Sequence, residues 1–345
     1  MIKQAIKKVV NGKHLNEEEA ISVMADIMEG RASSAQIAAL LIAMQLKGEQ
    51  VDEITGFVKV MRQKVTPVIS KHKLLVDTCG TGGDGASTFN ISTTAALVLA
   101  GAGVKVAKHG NRSVSSSSGS ADVLEALGIK VDLTPEQASK CLDDCGISFL
   151  FAPKLHQAMK YAAGPRKEIG IRTVFNILGP LTNPAGARAQ VLGVYSANLV
   201  EKLAHVLARL DTEHAFVLHG AGGLDEVSLA GNTEICEVRN GKVSSFSLNP
   251  EEYSFRYAPV EALSGGTPEE NAVITKEILK GIRGPRRNAV VLNTALGLIC
   301  AGKVKDIASG IKFAEQTIDS GSAADKLKEL ARYTSQIPKE EVASF

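Results

Sequence analysis

A chain of 345 residues with 44% apolar and 22% charged residues has the length and apolar content for one large domain or two, each with a sizeable core. Its 39 basic and 37 acidic side chains leave a formal charge of +2, too little for a nucleic-acid field, and no stretch has the uncharged length needed to span a bilayer. Five cysteines at irregular spacing (Cys79, Cys141, Cys145, Cys236, Cys300) fit a reduced, cytoplasmic protein better than a disulfide framework, and the opening MIKQAIKKVVNGKHLNEEE turns polar too soon for a signal peptide.

Residues 1 to about 65 read as helices alone. KQAIKKVV is short and amphipathic. Asn16 stands where an N-cap would, with Glu17, Glu18 and Glu19 in the first turn, where acids suit the helix dipole. SSAQIAALLIAMQLKG is apolar on nearly all sides and is expected to be buried, and DEITGFVKVMRQKV must stop ahead of Thr66-Pro67. From residue 74 short apolar runs alternate with helical stretches: LLVDTCG, VKVAKHG, IKVDL, ISFLFAP, AQVLGVYS and HAFVLHG are the strand candidates. That alternation predicts a mainly parallel sheet covered on both faces. TEICEVRNGKVSSFSL alternates about Asn240-Gly241, a favoured hairpin turn, and the chain is helical again from Pro268. Arg283, Arg286 and Arg287 read as a solvated turn between helices, and Cys141 and Cys145, four apart on a helix, as packing rather than metal ligands.

The chemistry-bearing segments fall at the carboxyl ends of the strand candidates, where open α/β sheets bind ligands. Asp77-Thr78-Cys79-Gly80-Thr81-Gly82-Gly83-Asp84 follows a strand and precedes a helix, so its glycines allow backbone N–H groups to form an anion nest. It lacks the Gly-Lys-Ser/Thr of a Walker A loop and the spacing of a dinucleotide fingerprint. Asn90-Ile91-Ser92-Thr93-Thr94 opens the next helix; its polar side chains fit phosphate oxygens or a hard cation, and equally simple N-caps. Lys108-His109-Gly110-Asn111-Arg112, followed by Ser113 to Ser118 and Gly119-Ser120, offers an anion pocket of many small donors, the alternative being a Ser-rich linker. Arg166, in Gly164-Pro165-Arg166-Lys167-Glu168, is either a bidentate carboxylate clamp or a solvated charge. Asp225 and Glu226, in a loop after His219-Gly220-Ala221-Gly222-Gly223-Leu224, can converge on Mg²⁺. No residue stands out as a general base; His109 and His156 are the candidates.

The GTGGD loop, the NIST segment, KHGNR, SADVLEALG, RTVFNILGPLTNP and the LDE pair, in this order and spacing, resemble the anthranilate phosphoribosyltransferases. The resemblance runs from the N-terminal helices to GPRRNAVVLNTALGL. It implies an α/β fold with a small all-helical N-terminal domain (1–69, joined by a mid-chain insertion near 165–186) and a larger α/β phosphoribosyl-binding domain (70–345). The active site would lie in the interdomain cleft, and the molecule would be a homodimer through its helical domains. It implies transfer of the phosphoribosyl group of phosphoribosyl pyrophosphate (PRPP) to the amine of anthranilate, a step of tryptophan biosynthesis, with Mg²⁺ as cofactor. By position, Gly80, Gly83, Asp84, Thr88, Asn90, Ile91, Ser92 and Thr93 would hold PRPP. Lys108, His109, Gly110, Asn111, Arg112, Ser113, Ser116 and Ser120 would complete its pocket. Gly80, His109, Asn111, His156, Arg166 and Pro180 would receive anthranilate, the arginine taking its carboxylate. Ser92, Asp225 and Glu226 would hold the metal, and Lys108, Asp84 and Arg166 would contribute most to the chemistry. One position departs from the pattern: Gly222 stands where an acidic residue is common, two before the Leu of LDE. A pyrimidine-nucleoside phosphorylase has a glycine segment that begins with Lys and runs in a different order. A nucleic-acid-binding relative of the fold would show a strongly basic face and a degraded anthranilate site.

Overall fold

The structure is a computed structural model and describes residues 1–113 and 117–337. Four helices come first: α1 (Ile2–Val10), α2 (Glu17–Met28), α3 (Ser34–Lys47) and α4 (Val51–Lys64). The acidic start of α2 is a complete capping box: Asn16 Oδ1 accepts from the Glu19 amide at 2.8 Å, and Glu19 Oε2 accepts from the Asn16 amide at 2.8 Å. Gly56 of α4 lets α2 approach closely, since a Cβ there would lie 2.7 Å from the Ala20 Cβ. α3 buries Ile37, Leu40, Leu41 and Met44, packing on α1 and on a later helix, Lys160–Ile169. That later helix also touches α2, and Phe175–Leu178 touches α4, so both mid-chain helices pack on the N-terminal helices.

Seven strands follow: β1 (Val76–Gly80), β2 (Val106–Gly110), β3 (Ile147–Phe151), β4 (Ala189–Gly193), β5 (His214–Gly220), β6 (Thr233–Arg239) and β7 (Lys242–Leu248). They form one sheet in the order β3-β2-β1-β4-β5-β6-β7, with β1 to β5 parallel and β6 and β7 antiparallel. Asn240 and Gly241 both have positive φ, +50° and +76°, the turn that a two-residue hairpin requires. The first strand sits in the middle and connections leave it in both directions. The order therefore switches beside β1, which opens a crevice at the strands' carboxyl ends.

One predicted strand is absent. Ile129, Val131 and Leu133 are buried alternately as IKVDL foretold, but the segment joins no ladder; the Lys130 amide donates instead to Thr334 Oγ1 at 3.2 Å. Alternation reported one-sided burial, and here the burying partner is a helix. The arginine cluster also reads differently in three dimensions. Arg287 is only 3% exposed and donates to Asp319 at 2.8 Å, and Arg286 donates to the Ser264 carbonyl at 2.8 Å; only Arg283 of the three is exposed.

Two apolar clusters hold the molecule. One lies around the helices Ile91–Gly101 and Pro285–Cys300 on one face of the sheet. The other runs from α1–α4 through Phe175, Ile177 and Leu178 to Leu192, Val194 and Val217 of the sheet. The helical bundle and the second face of the sheet thus share a core, which fixes the mid-chain helices over the strand ends.

Candidate active site

The glycine segment leaves the end of β1 with Gly82, Gly83 and Gly85 at φ +66°, +72° and +77°, a region costly for other residues. The loop is pinned from three sides. Its Thr81 amide donates to the Gly193 carbonyl at 3.0 Å, its Gly82 amide to Asp225 Oδ2 at 2.7 Å, and its Gly83 carbonyl accepts from Arg172. The Arg172 guanidinium lies over the Tyr195 ring, 4.6 Å from its centroid. Gly80 and Gly193 are required by this packing, because a Cβ on either would run into Asp225.

Asp225 and Glu226 turn inward. Glu226 Oε1 accepts from the Ser92 amide at 3.0 Å, at the start of the helix Ile91–Gly101. Asp84 Oδ1 accepts from the Ala86 amide at 3.2 Å, while its Oδ2 is buried without a partner. Burial, then the charge of Asp84, pushes the Asp225 carboxyl up to about 7. Burial, then Asp225, pushes Glu226 up to about 8. Among the described residues no three or more His, Cys, Asp or Glu side chains form a metal-holding group by themselves. Gly222 belongs to the tight turn ahead of the pair. Its φ is +84°, a Cβ there would meet Val260, and the Gly220 amide donates to the Leu224 carbonyl at 2.8 Å, so an ordered turn forms without the acid common at this position.

The polar start of the helix Ile91–Gly101 makes no side-chain cap. Asn90 instead bonds Ser118, and Thr93 Oγ1 is buried without a partner. Thr88 pairs with Ser264 as an isolated bridge. Lys108 is buried beneath the glycine loop, its Nζ donating to the Thr78 carbonyl at 2.6 Å. Burial lowers its pKa from the usual ammonium value, against the charge of neighbouring Asp77. Asp77, itself pushed up to about 6 by burial, accepts from the His109 amide at 3.1 Å and from Asn183 at 2.8 Å. Arg112, expected on PRPP, is engaged elsewhere: its guanidinium pairs with Asp122 at 3.1 Å and Glu125 at 2.5 Å. Asp122 also accepts from the Ser113 amide at 3.0 Å and the Gly119 amide at 2.8 Å, clasping both ends of the serine run. Ser120 starts the following helix beside Gly110, where a Cβ would lie 3.2 Å from the Ser120 Cβ. Ser116 lies outside the described residues.

Beside the loop a cavity of about 540 Å³ is walled by Gly80, Thr81, Asn111, Pro180, the His109–His156 pair and, from the helix Lys160–Ile169, Arg166. The two imidazoles meet through Nε2 at 3.1 Å. Burial pushes His109 down to about 3 and His156 down to about 4, so both are neutral at ordinary pH. Arg166 lies over the Phe175 ring, 5.1 Å from its centroid, with no carboxylate partner among the described residues. The crevice therefore has two ends: an amide-rich, acid-lined loop, and an apolar chamber with one available guanidinium.

The sequence matches the glycosyl transferase family, helical bundle domain, over residues 3–65 and the same family's a/b domain over residues 72–324. An anthranilate phosphoribosyltransferase of Pelotomaculum thermopropionicum is 66% identical over 343 residues, spanning 99% of this chain and 99% of that one. The chain belongs to the anthranilate phosphoribosyltransferases. The anthranilate phosphoribosyltransferase of Desulforamulus reducens is 60% identical over 97% of both chains. Among solved structures, the Thermus thermophilus anthranilate phosphoribosyltransferase aligns with a TM-score of 0.91 at 44% identity, covering 96% of this chain and 99% of that one. The Saccharomyces cerevisiae enzyme in complex with PRPP and Mg aligns at 0.87 and 28% identity, over 97% and 98%. The same yeast anthranilate phosphoribosyltransferase is also known in complex with 4-fluoroanthranilate. The helical N-terminal domain and the mainly parallel α/β domain expected from the sequence are both present. Among the described residues no helix is long and apolar enough to cross a membrane.

Several supporting residues carried no assignment in the sequence reading: Arg172 on the loop, Asp77 and Asn183 beside Lys108, and Asp122 under the serine run. Arg172 and Asn183 stand in RTVFNILGPLTNP and Asp122 in SADVLEALG, so the motifs held the signal; the contacts that give these residues their roles are tertiary.

Proposed function

We propose that the chain transfers the phosphoribosyl group of PRPP to the amine of anthranilate, with PRPP over the glycine loop and anthranilate in the chamber beneath Arg166. The observation that carries this is the two-ended crevice. Gly80 and Asn111 line the same cavity as an unpaired guanidinium, so an aromatic acid held there brings its amine towards the loop. The amine lone pair forms the bond to the anomeric carbon while the carbon–oxygen bond to pyrophosphate breaks and pyrophosphate takes the electron pair. The nitrogen then loses its proton to pyrophosphate or to water, while His109 and His156, both pushed down by burial, stand uncharged in the same cavity. The loop amides of Gly83 and Asp84, with Lys108 below them, stabilise the growing charge on pyrophosphate. Holding two reactants in register supplies much of the remaining acceleration.

Asp225 and Glu226, with Ser92 at the helix start, would hold Mg²⁺ together with oxygens of the pyrophosphate. The fit rests on their burial, their raised pKa values and the unpartnered Asp84 Oδ2. The bound cation would neutralise leaving-group charge. Thr88, Asn90, Ile91 and Thr93 continue the donor site. Arg112 acts indirectly, holding the chain after β2 on Asp122 and Glu125.

A homodimer through the helical domains completes the proposal. Val10 and Leu46 are 67% and 79% exposed there, although most of the α3 stripe is covered within the chain. A concentration-independent monomer in sedimentation would reject it. The decisive test of function is loss of anthranilate fluorescence with PRPP and Mg²⁺. Failure there, with phosphorolysis of thymidine or uridine instead, would transfer the chain to the nucleoside phosphorylases.

A further inference from the structure

A buried amide needs partners for both its ends, and two such amides in contact fix each other's direction. Asn271, on the helix Pro268–Leu279, is 1% exposed. Its Oδ1 accepts from the Gly266 backbone amide at 2.8 Å, so its Nδ2 must face the other way, and it donates to Asn90 Oδ1 at 2.9 Å. Asn90 Oδ1 also accepts from Ser118 Oγ at 3.2 Å, which leaves Asn90 Nδ2 to donate to the Ser118 carbonyl at 3.1 Å. The polarity of one backbone N–H is thus passed through two side chains to Ser118, at the far end of the serine run.

The strap carrying this chain is itself laid along the donor site. The Phe89 amide donates to the Leu263 carbonyl at 3.0 Å and the Gly265 amide to the Ser87 carbonyl at 2.9 Å, with Arg286 holding the Ser264 carbonyl at 2.8 Å. Gly265 admits no side chain, since a Cβ would lie 2.6 Å from Asn271 Oδ1 and 2.7 Å from the Phe89 Cα.

We infer that Asn271 is a positioning residue for the phosphoribosyl donor: by setting the direction of the Asn90 amide it aligns the 87–93 segment with the Ser118 end of the serine run. The inference rests on the proposed placement of PRPP against Asn90. Asn271→Asp is the sharp variant. It keeps the acceptor for Gly266 but sets a second acceptor against Asn90 Oδ1. Asn90 can then satisfy the new carboxylate only by turning its own oxygen on the Ser118 carbonyl.

The measurement is KM for PRPP and for anthranilate separately, on folded full-length protein, with PRPP affinity by calorimetry. Asn271→Asp is expected to raise KM for PRPP about tenfold and Asn271→Ala about three- to tenfold, each leaving KM for anthranilate within about twofold. Thr275→Val is the control. It breaks the Thr94–Thr275 hydroxyl contact of 3.1 Å between the same two helices, and should lower Tm without moving KM for PRPP. Should Asn271→Asp fail to fold, Asn271→Ala against Thr275→Val decides. Equal effects of those two on KM for PRPP would overturn the inference, as would unchanged PRPP kinetics in Asn271→Ala where Asn90→Ala raises KM. Unchanged PRPP kinetics in Asn90→Ala would instead overturn the donor placement.

Discussion

Replacing Arg166 by Ala removes the only guanidinium that lines the cavity among the described residues. The side chain is half-buried and has no acidic partner among the described residues, so the carboxylate of bound anthranilate would be its first. An exposed pair is worth at most about 1 kcal/mol, and losing one member of a fully buried pair costs roughly 3–5 kcal/mol. A half-buried, bidentate, charge-assisted contact falls between, at about 1.5–3 kcal/mol, or roughly 10- to 150-fold in kcat/KM for anthranilate. The substitution also strips the guanidinium from the Phe175 ring, worth about 0.5–1 kcal/mol of local packing. Arg166→Lys controls for charge, recovering part of the activity because an ammonium lacks the planar fork. The assay is anthranilate fluorescence, varied at saturating PRPP and then reversed. An Arg166→Ala enzyme with unaltered kcat/KM for anthranilate, or with its whole defect in KM for PRPP, would refute the placement of the acid.

The acidic pair makes stability depend on pH in a definite direction. With carboxyls raised to about 7 and about 8, the metal-free folded chain keeps protons that the unfolded chain has lost above about pH 4, so it binds more protons and its stability falls as pH rises towards 8. On the proposed metal role Mg²⁺ would bind the ionised form, so the rise in Tm it causes should be larger at about pH 8.5 than at about pH 5.5. A gain independent of pH would contradict the assignment. The double variant Asp225→Asn, Glu226→Gln should unfold at higher temperature than the parent in EDTA at the alkaline pH, and show no response to Mg²⁺. Gly193→Ala places a methyl group against the Asp225 carbonyl and should cost about 1–3 kcal/mol or more while weakening the Mg²⁺ response. A folded variant with the parent's Mg²⁺ titration would show that the turn carrying Asp225 does not depend on that close approach.

What was legible in the chain was what neighbours in sequence decide. The Asn16 cap, the Asn240-Gly241 hairpin and the glycine loop between strand and helix each depend on residues a few positions apart. IKVDL has a strand's alternation and no strand beside it, because pairing is decided by which segment lies next to it in space. Pro165 sits inside the helix Lys160–Ile169 that carries Arg166, so a residue that ordinarily ends helices obscures the element presenting the proposed clamp. Arg112 and Arg287 look alike in sequence, yet one is drawn to acids on the next helix and the other is buried on acids 28 and 32 positions away. Asn271 acts on Asn90 across 181 residues, a separation no local pattern encodes.

The clasp at Asp122 bears on how the enzyme can vary. One carboxylate holds the amides of Ser113 and Gly119, so the serine run enters the folding balance as a loop whose ends are already joined. The closure is made at the pins themselves, so the chain leaving β2 and the start of the following helix are tied to one side chain. Mutational drift at Asp122 would therefore be felt by strand, helix and loop together.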